Sequence, residues 1–130
     1  MSLNNGPNGI RIAMDPLRAL YYTSLSTMSY TAMQFYPGPG APAPFQNLVR
    51  ILSISNNTNQ DILVSDDFQN PKWYVAANGF IVRDFSANQD SKSGLAGLPI
   101  GTQLWVVSVN APSSGYVYAE CTYVSTIAGE

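Results

Sequence analysis

Histidine is missing from this 130-residue chain, and with it go the commonest general base and the commonest metal ligand. Triads of the Ser-His-Asp or Cys-His kind and zinc sites of the usual ligand set are thereby excluded. Cysteine occurs once, at Cys121, so there is no internal disulfide framework, and synthesis in a reducing cytoplasm is expected. Charge is sparse: Asp, Glu, Lys and Arg make up 11% of the residues, against roughly 25% in soluble domains. The 6 basic residues form no run, so the electrostatic footprint of a nucleic-acid partner is absent. No window approaches the roughly 18 apolar residues of a membrane span, and MSLNNGPNGIRIAMD lacks the apolar centre of a signal peptide. The expectation is a soluble, unprocessed protein with neither nucleic acid nor membrane as partner.

What is present is hydrophobic and neutral. Apolar residues reach 45% and the net charge is only −2, so little electrostatic repulsion protects the surface from association. The length suits one domain with one core, needing no metal or disulfide staple.

Three zones follow one another. Residues 1–16 are rich in Asn and Gly and carry an alternating apolar patch, Ile10, Ile12 and Met14, which Pro16 stops; they read as an extended N-terminal arm. Residues 17–36 favour one or two strands through their aromatic, Ser and Thr content. The stretch FYPGPGAPAPF then sets Pro37, Pro39, Pro42 and Pro44 in a loop of residues 37–44 that is neither helix nor strand, because each proline fixes φ and removes a donor. It suits a pre-extended tether, and Tyr36, Pro37, Pro39 and Phe45 join Ile10, Ile12 and Met14 as candidate partner-binding residues.

The remainder, within a domain spanning 17–130, reads as short strands with turn residues between them. LVRILSISN is expected to pair with ILVS across NNTNQD, and KWYVAA with FIVRDF across Asn78-Gly79, with Gly79 at positive φ. TQLWVVSV is expected to pair with GYVYAECTYV across NAPSSG. In the last of these, Val117, Ala119, Cys121 and Tyr123 alternate with Tyr116, Tyr118, Glu120 and Thr122, which places Cys121 in a core as a small hydrophobe. The fold class is all-β: a single β-sandwich or jelly-roll-like domain.

Chemistry is scarce. Asp61, Asp66, Asp67, Asp84 and Asp90 each lie beside a turn, where aspartate ordinarily caps amides; Asp66-Asp67 is the best candidate for a loosely held calcium ion. The Gly-Pro stretch is no phosphate loop, since no Lys-Ser/Thr follows the glycines. Asn56-Asn57-Thr58 matches the glycosylation acceptor pattern. Trp73, Tyr74, Trp105, Tyr116 and Tyr118 suit core or interface packing, with a sugar-binding face as the alternative. No catalytic residue, metal or cofactor is expected, and no enzymatic activity.

The ordered segments LVRILSISNNTNQDILVSDD, YVAANGFIVRDFSANQD, LPIGTQLWV and SGYVYAECTYV resemble a family of small virion proteins of tailed bacteriophages, over roughly residues 17–125. The chain departs from that pattern in its N-terminal stretch, in the Pro-Gly insertion before Phe45 and in DDFQNPKW. The resemblance implies a non-enzymatic virion component assembled in the host cytoplasm. A capsid decoration (cement) protein bound to the major capsid protein, and forming homo-oligomers, comes first. A neck or tail adaptor ring and a glycan-binding module for host attachment are the alternatives.

Overall fold

The computed structural model describes residues 10–36, 41–85 and 97–126, which build two antiparallel β-sheets packed face to face. Among these residues the strands are β1 Ile10–Tyr21, β2 Thr31–Ala32, β3 Gln34–Phe35, β4 Ile51–Asn56, β5 Ile62–Ser65, β6 Trp73–Val75, β7 Gly79–Asp84, β8 Trp105–Ser108 and β9 Tyr116–Thr126. One sheet has the order β3-β1-β9-β4-β7 and the other β2-β8-β5-β6. The all-β sandwich is what the alternation leads one to expect, because each strand places every second side chain inward. In β4, Leu52, Ile54 and Asn56 are buried while Ile51, Ser53 and Ser55 are half-buried on the other face. Val117, Ala119 and Cys121 of β9 meet them inside, joined by Ile62, Val64 and Val75 from the second sheet. Burial pushes the Cys121 thiol up to about 12, so it remains a protonated hydrophobe.

Two expectations are corrected. The three anticipated hairpins do not form: β4 and β5, β6 and β7, and β8 and β9 each lie in different sheets. Their turns reverse the chain but carry it across the sandwich, so β4 pairs with the distant β7 and β9, while β5 pairs with the distant β8 and with β6, the next strand along the chain. At the Asn78-Gly79 turn it is Asn78 that takes positive φ, 57°, and Gly79 closes the turn by donating its amide to Ala76 O at 2.9 Å.

The second correction concerns the arm. Residues 1–9 lie outside the described residues, but Ile10 to Asp15 pair residue by residue with Thr126 to Cys121, inside the five-stranded sheet of their own chain. β1 runs on through residue 16. The backbone bulges between Asp15 and Arg18, which is how Pro16 is accommodated within a strand paired with β9 on either side of it.

Candidate functional site: the outer face of the five-stranded sheet

Register decides which side chains look outward. Tyr116 and Tyr118 alternate with the buried Val117 and Ala119, so they stand on the outer face of β9. Tyr21 is the cross-strand partner of Tyr116, and Ser55 lies between Tyr118 and Phe80 across β4. In the adjacent row Ser53 separates Glu120 from Val82, and beyond it Met14 faces Thr122. Tyr36 reaches the same face, with its ring 6.1 Å from Tyr116 and 5.9 Å from Tyr118. Tyr116 and Tyr118 stack at 5.4 Å with planes 15° apart, and Tyr21 tilts against both Tyr116 and Tyr22.

The face is apolar, aromatic and poor in charge. Phe80 is 70% exposed, Met14 56%, Val82 49%, Tyr36 47% and Tyr21 43%. Glu120 and Asp84 are the charged side chains that the strand register assigns to it among the described residues. Burial, reinforced by Tyr36 and Tyr116 alongside, raises the Tyr118 phenol above its ordinary value, and burial with Tyr22 alongside does the same for Tyr21. Both therefore stay neutral hydroxyls at physiological pH. Exposed aromatic and aliphatic side chains gathered on one face are the usual mark of an interaction surface.

A buried clamp holds one side of this face. Arg18, with no side-chain exposure, donates Nε to Ala43 O at 2.5 Å, Nη2 to Pro44 O at 2.7 Å and Nη1 to Pro16 O at 2.6 Å, and pairs with Asp15 at 2.8 Å. Its guanidinium lies 5.2 Å from the centroids of both Phe35 and Phe45. Asp15 in turn accepts from Asn47 Nδ2 at 2.6 Å. The end of the proline stretch is thus folded back on its own domain, with Ala43 and Phe45 buried and Ala43 N donating to Met33 O.

The candidate partner-binding residues consequently separate. Met14 and Tyr36 lie exposed on the face. Phe45 is a core residue, 2% exposed, and offers nothing to a partner. Ile10 and Ile12 belong to β1 by their backbone, while their side chains, like Pro37 and Pro39, lie outside the described residues. Sequence reasoning missed Tyr21, Phe80 and Val82; the signal available for Phe80 and Val82 was their alternation with Ile81.

The remaining candidates resolve as scaffold. Asp67 accepts the amides of Gln69 and Asn70 and the hydroxyl of Ser65, which together hold its carboxyl well below the usual range, and Asp66 pairs with Lys72 at 3.0 Å. Asp61 accepts the Tyr74 hydroxyl and the Ala77 amide. Among the described residues no group of three or more acidic or thiol side chains is placed to hold a metal; Asp90 lies outside them. Asn56 is fully buried: its Nδ2 donates to Gln60 O, Val75 O and Ala76 O, and its Oδ1 accepts from Thr58 N and Oγ1. With no free amide proton and no exposure, it cannot accept a glycan in the folded protein. Trp73 is core, while Trp105 packs edge-on to Phe68 at 4.6 Å on the opposite sheet, so the five aromatics considered for a sugar face do not share one surface.

Compared with protein-family models, curated proteins and solved structures, the chain matches none.

Proposed function

We propose that this protein is a non-enzymatic structural component of a tailed-phage virion, a decoration (cement) protein that spans contacts between major capsid subunits. The outer face of the five-stranded sheet carries the reading: an aromatic surface poor in charge, on which Tyr21, Tyr36, Tyr116, Tyr118, Phe80 and Val82 stand. Tyrosine suits such a role because it supplies a large contact area and one hydroxyl at small cost in side-chain entropy. The virion setting comes from the resemblance of the four ordered motifs. Each copy would set a modest patch against the shell, and hundreds of copies would add up to a reinforcing lattice.

The test is to quantify the chain in purified particles and to locate it by reconstruction. Cement predicts copies in the hundreds around the icosahedral axes. A count of about six or twelve at the neck would replace it with the adaptor-ring reading, and absence from the particle would overturn both. Within a positive result, Tyr118→Ser together with Phe80→Ser should lower occupancy at least about tenfold while leaving the fold intact, if this face is the contact.

A further inference from the structure

Three successive backbone amides at the turn between β6 and β7 are each engaged by a different acceptor. Ala77 N donates to Asp61 Oδ1 at 2.8 Å, Asn78 N to Thr58 O at 3.2 Å and Gly79 N to Ala76 O at 2.9 Å. Ala76 O also accepts Asn56 Nδ2 at 3.2 Å, and Asn56 Oδ1 accepts Thr58 N, so the buried network of Asn56 and Thr58 braces the same turn. Asn78 itself is exposed and sits at φ 57°, a backbone conformation that asparagine tolerates.

An asparagine followed by glycine is open to attack on its own side-chain amide, because glycine has no side chain to hinder its nitrogen. In that reaction Gly79 N gives up its proton to base and bonds to Asn78 Cγ, the Asn78 amide nitrogen leaves as ammonia, and a succinimide ring closes. Water then opens the ring. Addition at Cγ gives aspartate, and addition at the main-chain carbonyl carbon of residue 78 gives isoaspartate, in which the chain runs through the former side chain. Water is the only other reactant. We propose that Asn78 is a modification site of this kind, whose rate is set by local opening of the turn. While the turn is closed, the Gly79 amide keeps its proton on Ala76 O and is held in place by the neighbouring hydrogen bonds. The reaction is therefore slowed in proportion to the rarity of the open form. Isoaspartate adds one carbon to the main chain between residues 78 and 79. The longer link no longer fits between the Asn78 bond to Thr58 and the pairing of Gly79 with Asn56, so the start of β7, just before Phe80, is displaced.

The inference is independent of the virion reading and is tested on the purified full chain, kept at mildly alkaline pH and followed by peptide mass spectrometry with isoaspartyl methyltransferase labelling. In urea the three Asn-Gly steps, at Asn5, Asn8 and Asn78, should convert at similar rates, which fixes the chemical rate of the pair. In the native protein Asn78 should convert at least about tenfold more slowly than in urea. Asp61→Ala removes the acceptor of the Ala77 amide at a half-buried position, and should raise the native rate at least about threefold with the urea rate unchanged. Asn56→Ala should raise the native rate further, and if that variant does not fold, Asp61→Ala decides alone. The isoaspartate form should melt below Asn78→Asp, which carries the same charge on an unlengthened chain. Equal native and urea rates, no conversion of Asn78 in urea, or a folded Asp61→Ala protein with an unchanged native rate would overturn the proposal.

Discussion

The guanidinium of Arg18 lies 2.8 Å from the carboxylate of Asp15, with both side chains fully buried at the bulge of β1. A buried pair of this kind is stabilising only while its remaining donors and acceptors are satisfied. Here they are, by three carbonyls on Arg18 and by Asn47 on Asp15.

Removing one partner should therefore be severe. Arg18→Met leaves Asp15 as an uncompensated buried charge and should cost about 3–5 kcal/mol in urea unfolding. Asp15→Asn with Arg18→Met should restore a good part of that loss, since a neutral pair removes the stranded charge. A cost below about 1 kcal/mol for the single variant would mean that the clamp does not hold the proline stretch.

Asn56 invites a sharper comparison. Its amide nitrogen faces three carbonyls, so Asn56→Asp replaces a donor with an anion among acceptors. Asn56→Asp should lose at least about 3 kcal/mol, more than Asn56→Ala, and thermal melts of the two proteins decide it. The reverse ranking would show that the cavity, and not the hydrogen bonds, matters.

Two glycines should differ in their tolerance. Gly115 has φ +96°, and a Cβ there would stand 1.9 Å from Asn57 O, whereas Gly79 has ordinary φ and a Cβ 3.1 Å from Ala76 O. Gly115→Ala should cost several kcal/mol, on the order of 3, and Gly79→Ala no more than about 1. Equilibrium denaturation measures both.

Acid stability should depend on Asp67. Its folded-state carboxyl is held below the ordinary carboxylate value of about 3.9 by the Asn70 and Gln69 amides first. The contribution is therefore present above that value and is lost as the pH falls below it toward the folded pKa. Asp67→Asn should flatten the acid limb of a stability-against-pH curve while changing little at pH 7 in its slope. An unaltered acid limb would contradict the capping role.

How far the chain could be read in advance depends on the range of each interaction. The alternation in Tyr116 to Tyr123 reports on the residues' own strand, so the core position of Cys121 was legible. The turn at Asn78-Gly79 was legible too, but a turn specifies reversal and says nothing about which sheet receives the next strand. Arg18 was illegible for a similar reason: in LRAL it reads as a surface charge, and its carbonyl partners at Ala43 and Pro44 lie 25 and 26 residues away. The outer face was half legible, since Tyr116 and Tyr118 announce it locally while Tyr21, Tyr36 and Phe80 reach it only through pairing.

The first described strand is married to the last. β1 finds its longest partner in β9, roughly a hundred residues later, which on a ribosome amounts to a wait on the order of ten seconds. During that interval the nascent β4 also lacks one of its two neighbours. Synthesis order thus makes β9 the closing piece, and truncation just before Tyr116 should yield no folded remnant, only a chain whose half-built sheet never closes.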